Sequence, residues 1–403
     1  MFTRPRIPGA LALARTLRNH LVTNVRRRLR RNAPRPEPAA QPAQSGFGPA
    51  AGGRPRRFVA SVLGGAALLL ILVGGVNAYV DPYGYTGTAA FPTAILSDRT
   101  TKACLAQRLT SPPRLLVLGS SRSMKIQPSY LRALTGSPAF NAGVSSATPQ
   151  DAWAFVNFLH DRFRGAHQRV LWLVDVEMFR PRPLDPGLLA TPALARYFSS
   201  SAQWTARISA LPTLFSWHTA SDSWRVLSSS LSGSSSAAPP GHCTYRTNGV
   251  TQFTPAGFRL WDIHDAARAR GFGLTQGLAL TIQEYTRIYR SGYPALSAEA
   301  EYWFARTVNL LNHWGTRPLL VLTPVQPRLL HVIEPLGWNR RHAQVVAYLN
   351  RLRAHASFDL LDASHISSFH GRPGGFYDGV HMTVPNLQRL VAWAVSRHRA
   401  DLA

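Results

Sequence analysis

Lysine is nearly missing from this chain: of its 45 basic residues only Lys102 and Lys125 are lysine, against 19 acidic ones. An arginine bias this general, with a net charge of +26, does not by itself demand bidentate recognition of one partner. Cysteine is almost as scarce, with only Cys104 and Cys243. An oxidising compartment would allow one disulfide between them, tying the segment before the first strand to a Ser-rich loop; two separate thiols are the alternative. No Cys/His spacing suggests a zinc site, and no metal or other cofactor is expected. There is no internal repeat, and residues 58–80 contain no charge.

What is present divides the 403 residues unevenly. Residues 1–57 hold 13 arginines against one acid, Glu37. Within them, ALALARTLRNHLVTNVRRRLRR (10–31) has helical apolar spacing, and APRPEPAAQPAQSGFGPAAGGRP (33–55) is a linker that cannot bury a core. Then comes FVASVLGGAALLLILVGGVNAYV (58–80), which as a helix spans about 35 Å, enough for a hydrocarbon core of about 30 Å. Arg54, Arg56 and Arg57 precede it, and Asp81-Pro82 follows. The positive-inside rule then predicts a single-pass inner- or plasma-membrane protein with a cytoplasmic N-terminus and residues 81–403 outside. A cleaved signal peptide ending near Val76-Asn77-Ala78 is the rival; the long leading segment argues against it. Beside such a helix, an arginine-rich arm is expected to meet anionic lipid headgroups rather than nucleic acid.

Beyond residue 81 the chain alternates short apolar runs with helical patterns, which predicts an α/β fold with a mostly parallel sheet. Strands are expected at 114–119, 139–143, 169–176, 318–324 and 357–363, with helices at 126–135, 148–164, 298–315, 339–355 and 385–399. An insertion at about 180–295 breaks the alternation. It carries SSSLSGSSSAAPPG (228–241) and many aromatics, among them Trp204, Phe215, Trp217, Trp224, Tyr245, Phe253, Phe258 and Trp261. Most of these are expected to form the insertion's own small core, the alternative being exposed rings that stack on sugars.

The chemistry-bearing residues stand at the two ends of this region. RLLVLGSSRSMKIQPSYL (114–131) ends an apolar run on a glycine and two serines, where a turn would expose a hydroxyl at the carboxyl end of a strand. FHGRPGGFYDGVHMTVPNLQRL (369–390) sets Asp378 and His381 three apart on a Gly-rich loop. A serine nucleophile needs a base to take its proton and a carboxylate to hold that base, and an Asp-x-x-His turn can supply both. The NAGVSS turn (141–146) offers Gly143 as a backbone donor to an oxyanion, beside the N–H of the nucleophile itself.

Gly-Ser-Ser after the first strand, Asn-Ala-Gly after the second and Asp-Gly-Val-His before the last helix resemble the SGNH/GDSL hydrolase superfamily. The resemblance is closest to its membrane-anchored branch, which includes the D-alanylation protein of teichoic acids and the alginate O-acetylation proteins. FDLLDASHISSFHGRPGGFYDGVHMT and the DPYGY after the membrane span share that look, and the resemblance covers roughly 81–403. It implies a three-layer flavodoxin-like SGNH fold preceded by one transmembrane helix. It also implies Ser121 as nucleophile, with Ser120 the understudy, Gly143 in the oxyanion hole, and Asp378 and His381 as acid and base. Two departures stand out. The usual Gly-Asp-Ser is Gly-Ser-Ser, followed by Arg122, and the Gly-x-Asn-Asp block is replaced by Asp175 and Glu177. A carboxylate cannot donate to an oxyanion, so the third donor is missing or comes from elsewhere. Asn141 is the candidate substitute, the alternative being that it only shapes its turn. Arg122 and Asp175 are candidates to contact substrate, the alternative for Arg122 being an exposed residue beside the turn. No Gly-x-Ser-x-Gly elbow occurs, which argues against the other common serine-hydrolase fold.

The expected activity is therefore ester hydrolysis or O-acyl transfer through an acyl-serine, on a cell-envelope or secreted polysaccharide. The family further implies an integral-membrane acyltransferase as partner. The alternative is a non-catalytic SGNH-like module that binds glycan or scaffolds an envelope complex.

Overall fold

The computed structural model describes residues 54–88, 90–91, 93, 97–232, 246–247 and 251–402. The chain divides into two compact units, 1–63 and 64–403. The expected basic arm and linker lie outside the described residues up to position 53; in the first unit, residues 54–63 form the opening turns of helix α1 (Arg54–Val80). From Arg57 to Val80 this helix is 24 residues long with a mean hydropathy of 2.4, long and apolar enough to cross a membrane.

The second unit opens with the DPYGY turn. Asp81, with φ +47°, accepts the backbone N–H groups of Tyr85, Thr86 and Gly87 at 2.7–3.0 Å. Tyr83 OH donates to Asp222 at 2.6 Å, and burial with that carboxylate pushes the phenol up to about 12. The motif is thus a structural corner.

In chain order there follow α2 (Asp98–Gln107), β1 (Leu115–Leu118), α3 (Pro128–Thr135), β2 (Ala139–Asn141), α4 (Pro149–Arg162) and β3 (Arg169–Val174). The insertion contributes α5 (Ser200–Ala210), α6 (Trp217–Leu231), α7 (Ile263–Ala269) and α8 (Leu274–Arg287). It also holds a small antiparallel sheet of Arg246–Thr247, Thr251–Phe253 and Arg259–Trp261. The main fold resumes with α9 (Ala298–His313), β4 (Leu319–Leu322), α10 (Pro327–Ile333), α11 (Trp338–Leu352), β5 (Asp359–Asp362) and α12 (Val384–Arg397).

β1–β5 form one sheet in the order β2-β1-β3-β4-β5 with every pairing parallel. Both faces are covered, so the central strands read as unbroken apolar runs rather than alternations. Leu116, Leu118, Trp172 and Leu320 face the layer that includes Phe155 and Phe304; Leu115, Val117, Leu171 and Leu319 face Leu387, Leu390 and Val391 of α12. The direction of strand addition reverses at β1, so the carboxyl ends of β1 and β3 form a crevice where open α/β sheets bind ligands.

All five expected strands are present at nearly the expected positions. Helix α2 escaped the sequence reading because its buried face carries charge. Arg99 forks onto Asp151 at 2.6 and 2.9 Å, and Lys102 donates to the carbonyls of Asn141 and Gly257. Burial lowers the Lys102 pKa well below the usual lysine value. The expected aromatic core of the insertion is only partly there: Phe253 is buried, but Trp204, Phe215, Trp217 and Trp224 are 50–86% exposed. Tyr245 lies outside the described residues. Cys104 is disulfide-bonded; Cys243 lies outside the described residues.

Candidate active site

Two segments separated by most of the domain meet at the crevice. After β1 the chain turns at Gly119, φ +141°, where a Cβ would lie 2.8 Å from the Leu173 carbonyl and 2.9 Å from Ser123 Oγ. Only glycine fits so close beneath β3. The turn that follows is closed by Ser123, whose N–H and hydroxyl both donate to the Ser120 carbonyl at 2.9 and 2.7 Å. Ser120 is buried and its Oγ accepts the Arg122 N–H, whereas Ser121 is half-buried and opens into a cavity.

The second segment precedes α12. A bridge between Phe376 and Met382 and a Tyr377 N–H to His381 carbonyl bond of 2.8 Å pinch Asp378–His381 into a tight loop. Asp378 Oδ1 accepts the N–H groups of Val380 and His381, both at 2.8 Å. Its Oδ2 is 2.7 Å from His381 Nδ1, and His381 Nε2 is 2.8 Å from Ser121 Oγ. Burial would raise the Asp378 pKa. The adjacent His381 and the two backbone donors outweigh it and hold the carboxyl well below the usual carboxylate range. The insertion braces this loop: a Cβ on Gly277 of α8 would lie 2.6 Å from the Tyr377 carbonyl, so glycine lets α8 lie directly on it.

The other predicted site residues are placed differently. Asn141 Nδ2 donates to the carbonyls of Ser123 and Ile126 at 2.9 and 3.0 Å, and its Oδ1 accepts the Gly143 N–H at 3.0 Å. Two of the three expected oxyanion donors, Asn141 and Gly143, are thus committed to holding the turns together. The N–H groups of Ser121 and Ser146 have no acceptor among the described residues, and both residues line the cavity. Arg122 and Asp175, expected at the substrate, also border the cavity but are tied to each other and to the fold. The guanidinium is 4% exposed, 3.6 Å from Asp175 and 2.7 Å from Glu177, with Thr323 at 2.8 Å and Tyr285 OH at 2.7 Å. Desolvation opposes this charge, yet Asp175, Tyr285 and Glu177 raise its pKa well above the ordinary value.

The cavity at Ser121 is about 160 Å³, with Ser146, Arg180, Arg182, Glu284 and His381 on its walls. A second cavity of about 510 Å³ shares Asp378 and His381 with the first and is bounded also by His264, Arg268, Phe272, Leu280 and Tyr377. His264 of α7 is a residue sequence reasoning missed. Its ring lies 4.5 Å from that of His381 and its Nδ1 3.8 Å from Asp378 Oδ2. Burial first, then the neighbouring His381, lowers its pKa to about 4. The signal available was a lone histidine after a strand and an Asp, which nothing in the spacing ties to a site 114 or more positions later. His264, Asp378 and His381 bring ligand atoms within 4.8 Å of one another, the one such group among the described residues. However, the His381 and Asp378 atoms are already joined to each other and to Ser121, so the geometry is that of a proton relay rather than an open metal site. No family model matches this chain, and no curated protein matches it.

Proposed function

We propose that this protein is a membrane-anchored SGNH-type serine esterase or O-acyltransferase with a Ser121–His381–Asp378 triad. One observation carries the reading: hydrogen-bond contacts of 2.8 and 2.7 Å join a serine, a histidine and an ionised carboxylate across 260 positions of chain. The strand order is that of flavodoxin-like doubly wound sheets, and the serine stands at the switch point where such folds carry their chemistry.

In this mechanism Asp378 holds the Nδ1–H tautomer of His381, leaving Nε2 as the base. Ser121 Oγ attacks an ester carbonyl as its proton passes to Nε2, and the oxyanion forms near the free Ser121 N–H. Collapse expels the alcohol, protonated by His381, and leaves acyl-Ser121. A sugar hydroxyl or water then gives its proton to His381, attacks the acyl carbon, and releases Ser121. Arg180 and Arg182 share the cavity wall with Glu284, a mixed lining of charged donors and acceptors that suits a strongly polar glycan of the cell envelope or a secreted polysaccharide. An integral-membrane acyltransferase supplying the acyl group fits the apolar helix. The commitment of Asn141 and Gly143 to the fold favours the second reading, a non-catalytic glycan-binding or scaffolding module.

A serine-directed fluorophosphonate separates the two. The full-length protein in detergent is expected to form one covalent adduct, lost in Ser121→Ala. A folded wild-type protein that takes no label would overturn the enzyme reading and leave the module.

A further inference from the structure

Among the described residues, the α5–α6 hairpin exposes more large apolar side chains than any other part of the domain outside α1. Ile208, Leu211, Phe215, Trp217 and Trp224 are 48–86% exposed. From Ile208 to Trp217 the sequence ISALPTLFSW contains no charge. A soluble domain rarely leaves such a contiguous surface to water.

The hairpin packs on the end of the apolar helix and on the turn that follows it. Arg207 Nη2 lies 3.8 Å from the Cβ position of Gly87, beyond the helix end, and on the returning limb Asp222 receives Tyr83 OH. From there the tip reaches back along α1. The Phe215 ring closes over Gly74, and Asn77 Nδ2 donates to the Leu214 carbonyl at 2.6 Å. Asn77 and Gly74 lie three and six residues before Val80, about 5 and 9 Å inside the end of the helix. Amphipathic elements that lie in a membrane bury their apolar face to about 5–10 Å.

The tip also meets the demand that lipid makes of polar groups. The Leu214 carbonyl is satisfied by Asn77, the Thr213 carbonyl accepts from Thr219 Oγ1 and the Ser216 N–H, and Ser216 Oγ caps α6 by accepting the Thr219 N–H. Charge returns only at the two ends of the hairpin, level with the first residues beyond α1, while tryptophan is the residue that interfaces favour.

We infer that the α5–α6 hairpin inserts its tip, Ile208–Trp217, into the lipid leaflet at the Val80 end of α1. The domain is then held at two points rather than swinging on a single helix. This sets the height of its crevice above the bilayer whatever chemistry occurs there.

The test is a fluorescent NBD reporter on Trp217→Cys in the full-length protein, reconstituted in lipid nanodiscs, with a second reporter on the exposed Arg270→Cys. Insertion predicts several-fold stronger quenching at 217 than at 270 by acyl chains brominated near the headgroup. It also predicts several-fold weaker quenching at 217 by aqueous iodide. Equal quenching of both positions by iodide would overturn the inference. A reporter at 217 shielded from both quenchers would overturn it too, because the surface would then be a protein interface. Since Trp217 is 86% exposed, its replacement removes no core packing.

Discussion

Asp378→Asn is expected to slow acylation of Ser121 about 10⁴-fold while leaving the loop folded. The asymmetry of the carboxylate's bonds is the reason. Oδ1 holds the loop through the N–H groups of Val380 and His381, and an amide oxygen can accept both. Oδ2 faces His381 Nδ1, and there an amide nitrogen would donate instead of accept. That forces the ring proton onto Nε2, the atom that must take the proton from Ser121. The variant should keep the wild-type unfolding temperature and lose the rate constant for fluorophosphonate labelling. A labelling rate within tenfold of wild type would mean that Asp378 only shapes the turn.

Arg122→Met should have the largest effect on stability, a loss of about 3–5 kcal/mol, because it leaves two buried carboxylates without their cation. Asp175 and Glu177 both lie within 4 Å of the guanidinium, and Tyr285 donates no replacement charge. Arg122→Lys keeps the charge but not the planar fork that reaches Thr323, Glu177 and Tyr285 together, so it should fall between Met and wild type. Chemical unfolding of the three proteins measures the order. If Arg122→Met unfolded like wild type and weakened only substrate binding, the arginine would be a substrate contact after all.

The centre of the sheet was legible because β1, β3 and β4 are apolar runs, and burial on both faces leaves that signature in the sequence. The Ser121 and Asp378–His381 blocks were legible because each is a short local pattern whose turn geometry is set by its own neighbours. What the sequence hid depends on partners brought from far away. The amide of Asn141 reads as a free donor until the carbonyls of Ser123 and Ile126 fold over it. Arg122 reads as an exposed turn residue until Glu177 and Tyr285, 55 and 163 positions on, close around it. His264 is tied to the relay only by the packing that sets its ring 4.5 Å from that of His381, while Gly277 lets the following helix lie against the Asp378 loop. Helix α2 lacks an apolar stripe because Arg99 and Lys102 occupy its inner face.

Tandem mass spectrometry of the peptide spanning Arg114–Leu131, after brief exposure of the full-length protein to an activated acetyl ester, tests the relay most directly. The account predicts an acetyl group on Ser121 in the wild type and none in His381→Ala. Acetylation at Ser120 or Ser123 instead, or equal acetylation of Ser121 in both proteins, would contradict it.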